Sequence, residues 1–202
     1  MDSGAFTTIA KHGDYPHPVG EYAAQIRRWA TNGSGRLLAA VSQDYMCEAH
    51  MLHGRTIADN QRLTIERYDA LLTENTGVYI MPVLQGYSPE SYVSHIQQYA
   101  WRLPIGAWVG VGSVCKRNGK VEAVEAVLCA VKQERPDLRI HGFGLKTTAL
   151  KSWLVATLLE SSDSMAWSFG ARVLGRNQNS WIEAKKWELR INAGLRQLGV
   201  NQ

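Results

Sequence analysis

The sequence predicts an α/β fold on a parallel sheet and, of the two architectures open to such a sheet, points to a (β/α) barrel of the TIM type. Three observations carry that prediction. Short apolar, β-rich runs alternate with helix-period segments along all 202 residues, the pattern of parallel strands joined by crossover helices. No phosphate fingerprint of the open, doubly wound class is present. Gly110–Gly119, GVGSVCKRNG, carries glycines but matches neither G-x-G-x-x-G nor the Lys-containing P-loop. Polar residues also recur where the apolar runs stop, and barrels carry their chemistry at the C-terminal ends of their strands.

The strands are expected at Leu37–Val41, Val78–Leu84, Ala107–Val114, Leu138–Phe143 and, more weakly, Ser161–Trp167. Helix-period segments lie at Glu21–Thr31, Thr56–Leu72, Pro89–Trp101, Val121–Glu134, Thr147–Glu160 and Ser180–Leu198. Ser88-Pro89-Glu90 reads as a helix start, with Pro in the first turn and Glu90 complementing the dipole. Gly77 and Gly106 precede strands, where a loop wants a residue that tolerates positive φ. No repeat, low-complexity tract or linker interrupts the chain, so residues 1–202 are read as a single domain. Five strands and the stub Met1–Gly4 amount to about five to six of the eight units of a closed barrel. The barrel is therefore expected to be incomplete at its N-terminus. Either the true start lies upstream, or the open edge is covered by the C-terminal helix or a second subunit, as a homodimer or with a partner chain.

Composition narrows the class further. Hydrophobic residues at 45% and charged residues at 20%, with seven Trp, eight Tyr and three Phe, exclude disorder. No apolar run is long enough for a bilayer, and the N-terminus has no basic region followed by an apolar one. Cys47, Cys115 and Cys129 form no C-x-x-C pair and read as reduced thiols of a cytoplasmic protein. A formal charge of +4 permits a polyanionic partner without demanding one.

The strand ends hold the candidate site: Asp2 in the stub, Ser42-Gln43-Asp44, Gln85-Gly86, Gly112-Ser113, Gly142-Phe143-Gly144 and Ser162-Asp163-Ser164. Any one Asp after a strand is more often a cap or turn former than a catalyst. The set says more. Carboxylates accept from the N1–H and N2 amine of a guanine-like edge, while an amide donates to O6. A further carboxylate can attack an anomeric carbon. Lys116, Arg117 and Lys120, then Lys146 and Lys151, then Arg172 and Arg176 each follow such an end. They would line a phosphate backbone, or equally form a solvated face. Cys47-x2-His50-x2-His53 matches no zinc motif, so no metal and no cofactor is expected. Trp29, Trp101, Trp181 and Trp187 read as core or interface anchors, and His141 as a hydrogen-bonded core histidine.

The wording of these motifs resembles a known group. DSGAF at Asp2–Phe6, Gln43–Glu48 (QDYMCE), Val83–Gly86 (VLQG), Val111–Val114 (VGSV) and Ser162–Ser164 (SDS) follow the order of tRNA-guanine transglycosylases. DYMCE followed by NQRLT, then GVGSVCKR, HGFGLK and DSMAWS, is more similar to the related deazapurine DNA-modification transglycosylases of phages and bacterial genomic islands. The resemblance covers about residues 2–172. It implies exchange of guanine for a free 7-deazaguanine base in DNA. Asp163 would be the nucleophile at C1′ and Asp2 the general acid and base. Asp44 would hold the Watson–Crick edge. Gln85 and Gly86, with backbone at Gly112, Ser113 and Gly144, would surround the rest of the base. The Cys-rich zinc motif that the tRNA enzymes carry after the nucleophile has no counterpart after Cys129. The alternatives are the same chemistry on tRNA, a non-catalytic transglycosylase-like subunit binding nucleic acid or a partner chain, and an unrelated small-molecule barrel enzyme.

Overall fold

The computed structural model describes residues 1–33, 35–114 and 120–200. Two helices open the chain, α1 (Ala5–His12) and α2 (Val19–Asn32). Then strands and helices alternate: β1 (Ala39–Val41), α3 (Ile57–Thr73), β2 (Tyr79–Met81), β3 (Val83–Leu84), α4 (Pro89–Tyr99), β4 (Trp108–Val111) and α5 (Val121–Glu134). After β5 (Arg139–Gly142) come α6 (Thr147–Leu150), α7 (Trp153–Leu158), β6 (Ser161–Ser162), α8 (Ala166–Val173) and α9 (Trp181–Gln197).

Every strand pairing among the described residues is parallel: β1 with β2, then β3, β4, β5 and β6 side by side. Strands β2 and β3 are two halves of one extended segment, divided at Pro82, which has no N–H to contribute to a ladder. The first half pairs with β1 and the second with β4. Spatial order thus follows chain order throughout. With right-handed crossovers, the rule for parallel units, that order sets the helices on one face. The packing agrees. Ala40, Ile80, Leu84, Val109, Val111 and Ile140 share one core with Ile65, Tyr92, Val124 and Leu128 of the helices. Their strand neighbours Ala39, Val41, Met81 and Val83 form a separate cluster on the opposite face, against Trp108 and Phe143. Burial on both faces explains why these strands read as continuous apolar runs.

The N-terminal stub adds to the sheet. The Met1 ammonium donates to the Ala39 carbonyl at 2.7 Å, and the Met1 carbonyl accepts from the Val41 N–H at 2.9 Å. Asp2 is thereby delivered beside the end of β1.

Two expectations need correction. Thr147–Glu160 is two helices, because Ser152 turns its hydroxyl onto the Val155 N–H and starts a new helix there. The weak strand Ser161–Trp167 stops after two residues: the Ser164 hydroxyl accepts from the Ala166 N–H in a local turn, and α8 begins. Of the tryptophans read as core or interface anchors, Trp187 packs against the core, and Trp29, Trp101 and Trp181 are exposed. Gly77 and Gly106 take positive φ, as their positions before strands require. No helix among the described residues is long and apolar enough to cross a membrane.

Candidate active site

The segment leaving β1 runs into the protein instead of out to solvent, and residues 42–48 are all buried. Its backbone polar groups must therefore find protein partners. The Tyr15 hydroxyl accepts from the Asp44 N–H at 3.0 Å and donates to the Asp44 carbonyl at 2.9 Å. Helix α3 supplies the rest: the Thr64 hydroxyl accepts from the Tyr45 N–H, and the Asn60 amide donates to the Met46 carbonyl. So Asp44 and Glu48 are held in place by their own main chain.

Gln85, where β3 ends, is fixed in the same manner. Its N–H donates to His95 Nδ1 at 2.8 Å, and its carbonyl accepts from the Gln61 amide at 2.7 Å. Burial pushes His95 down to about 3, so the ring is neutral and its Nε2–H points to the Gln61 carbonyl, 3.1 Å away. The Gln85 side-chain amide donates to the Asp44 carboxylate. Its oxygen lies 2.8 Å from the Ser113 hydroxyl, which is also 2.7 Å from Glu48 Oε2. Ser113 reaches this position with φ +58°, in the left-handed region. Two carboxylates, an amide and a hydroxyl from the ends of β1, β3 and β4 thus form one buried, connected polar group.

The electrostatics follow from that burial. The Asp44 carboxyl is pushed up to about 7 by loss of water, with the Asp2 and Glu48 charges adding and the Gln85 amide opposing. The Cys47 thiol is pushed up to about 12 by burial and by the same carboxylates. It is a packed thiol, not a nucleophile. Asp2 itself is exposed, with its carboxylate accepting from the Gly4 N–H at 3.2 Å.

Asp163 follows β6 with its side chain more than half exposed. Partial burial raises its pKa, but His141 and the Gly144 N–H more than offset this and hold the carboxyl below the usual range. Gly144 donates to Oδ1 at 2.8 Å, with φ +62° bringing its N–H round. A cavity of about 580 Å³ opens beside the carboxylate, lined by Gly144, Lys146, Thr148, Ser164, Met165 and Phe169 among others.

Asp44, Gln85 and Ser113 are therefore brought together, with Asp2 near enough to act on Asp44, and Asp163 stands at the same end of the parallel sheet. Gly112 and Gly86 are closely packed by the protein itself. A Cβ on Gly112 would lie 2.2 Å from the Gln85 amide nitrogen, and one on Gly86 would strike Ser91 and Tyr92 of α4. Lys146 lines the Asp163 cavity, Arg172 lies over the Phe169 ring at 5.2 Å, and Arg176 pairs with Glu183. Lys116 and Arg117 lie outside the described residues. Among the described residues, no group of three or more His, Cys, Asp or Glu is arranged to hold a metal ion. Sequence reasoning gave no role to Glu48 or His95 and read His141 only as a hydrogen-bonded core histidine. For Glu48 a signal existed, since a lone carboxylate in the apolar stretch YMCEA must find a partner if buried. The histidines gave none, because their partners are distant in sequence.

No curated protein matches the chain. A protein-family model described as DpdA: DeoxyPurine in DNA protein A matches residues 1–197. That span includes every strand and each of the site groups described above. The chain belongs to the DpdA family and takes part in the deazapurine modification of DNA.

Proposed function

We propose that this chain is a base-exchange glycosyltransferase that replaces guanine in DNA by a 7-deazaguanine, on a sheet that is an arc of a TIM-type (β/α) barrel. The sequential, all-parallel strand order supports the barrel reading. One observation carries the chemistry: a partly exposed carboxylate, Asp163, stands at the same sheet end as a buried carboxylate–amide pair, Asp44 and Gln85. The first suits attack on a sugar carbon. The second suits the edge of a purine.

In the first displacement an Asp163 oxygen forms a bond to C1′ while the C1′–N9 bond breaks. Guanine leaves with that electron pair, and Asp2 supplies the proton. In the second, Asp2 takes the proton from N9 of the incoming base, N9 bonds to C1′, and the ester bond to Asp163 breaks. Two such displacements replace one difficult exchange. Asp44 accepts from N1–H and the N2 amine. The Gln85 amide gives one proton to Asp44 and has a second for O6. The target nucleotide must leave its stack to reach this depth, and Lys146, Arg172 and Arg176 would hold its phosphates.

A denaturing quench of the protein with DNA should trap a covalent protein–DNA adduct, and Asp163→Asn should trap none while binding DNA as before. An adduct that persists in Asp163→Asn would move the nucleophile elsewhere. Adduct formation on a tRNA substrate in place of DNA would reassign the acceptor.

A further inference from the structure

On the opposite face of the sheet from the helix core, four side chains form a line that ends on Asp163. The Trp108 indole Nε1 of β4 is 3.2 Å from the Ser161 hydroxyl of β6. That hydroxyl is 2.9 Å from Nδ1 of His141 on β5. Nε2 of His141 is 3.5 Å from Oδ1 of Asp163. The strand registers dictate this alignment, since Trp108 pairs with Arg139, Gly110 with His141, and His141 with Ser161. The imidazole is also clamped edge-to-face by Trp108 and Phe143, with ring centroids 6.1 and 4.8 Å away. Phe143 can lie there because Gly110 has no Cβ, which would stand 2.3 Å from the Phe143 ring.

The two ends of this line have fixed polarity. An indole N–H only donates, and an ionised carboxylate only accepts. Ser161 accepts from Trp108, so its own proton is available to Nδ1. The His141 proton then belongs on Nε2, facing Asp163. The other neutral tautomer would set a ring lone pair against a carboxylate lone pair. We infer that His141, with its tautomer set by Trp108 and Ser161, is the positioning residue of the nucleophile: it anchors Oδ1 together with the Gly144 N–H and leaves Oδ2 to attack C1′. The 3.5 Å separation is long for a hydrogen bond, and such contacts tighten when substrate is in place. His141 is thus more than the core histidine that its apolar strand suggested.

The inference rests on the proposed role of Asp163, so its test needs one readout that does not depend on catalysis. Long-range proton–nitrogen NMR of the ¹⁵N-histidine-labelled protein should show His141 protonated on Nε2 alone. Trp108→Phe, which removes the indole donor and frees Ser161 to reorient, should bring in the Nδ1–H form. A wild-type ring protonated on Nδ1 alone, or a tautomer unmoved by Trp108→Phe, would overturn the inference even if no adduct ever forms. The second readout is the single-turnover rate of adduct formation. His141→Phe should lower it about 100-fold, the usual effect of a reacting group misplaced by about an ångström, with DNA affinity unchanged. His141→Gln, whose terminal amide reaches the Nε2 position, should recover most of that loss, whereas His141→Asn, which reaches only Nδ1, should not. Equal rates in the Gln and Asn variants would reduce His141 to a packing residue. Failure of the wild type to form adduct, with the NMR result as expected, would instead defeat the proposed function and leave the tautomer chain standing.

Discussion

Asp44 shows how a site residue can oppose the stability of its own fold. Its carboxyl is pushed up to about 7 in the folded protein from an ordinary value of 3.8, so between these values the folded state holds a proton that the unfolded state releases. Stability from this residue is therefore present in full below about pH 4 and is lost as the pH rises through 7. Asp44→Asn removes the buried charge and keeps an oxygen for the Gln85 amide. The variant should gain thermal stability over wild type as the pH is raised from 5 to 8, by an amount on the order of a few kcal/mol at most. Under the proposed function it should also bind the free deazaguanine base more weakly, because its amide presents N–H groups to the base's donors. Melting curves across that pH range, paired with base titrations, measure both effects. A melting temperature that falls with the substitution at pH 8 would contradict this account of Asp44.

At the scale of elements, local chemistry is separable from the site. Thr56 and Asp59 form a reciprocal capping box at the start of α3, the hydroxyl accepting from the Asp59 N–H and the carboxylate from the Thr56 N–H. Thr56→Ala should lower the unfolding free energy by about 1 kcal/mol, visible as a lower urea midpoint with an unchanged slope. Elements specified by such local signals were legible in the sequence. Helix α5 occupies its expected span Val121–Glu134, and the interiors of β1, β4 and β5 fall within their apolar runs. Helix α1 escaped notice because Ala5 and Ile9 are its only buried positions, too few to show a period. At the site, Asp44, Gln85 and Ser113 could be found from their place at strand ends. The roles of His95 and His141 could not, because they arise from α4 packing on β3 and from cross-strand register, which no sequence interval encodes.

Over the whole molecule the charge is unevenly distributed. Between residues 144 and 200 there are eight Lys and Arg and four Asp and Glu, while the preceding residues balance, so the full net charge of +4 lies in the segment that holds Asp163. Under the proposed function this excess would draw an anionic strand to that end of the chain, where Lys146 lines the Asp163 cavity and Arg172 stands over Phe169. Arg172→Ala should weaken DNA binding evenly across sequences and reduce the slope of log affinity against log salt by about 1. Titrations at several salt concentrations measure that slope, and an unchanged slope would place the phosphates elsewhere. The strand order has a consequence of its own, in time as well as in space. Each strand lies beside the one made just before it, so during synthesis every new unit meets a partner already laid down. Asp44, Gln85 and Ser113 all follow strands up to β4, whereas Asp163 comes only with β6. Under the proposed mechanism, a growing chain acquires its means of recognition well before its means of reaction, and it stays harmless to DNA until β6 docks.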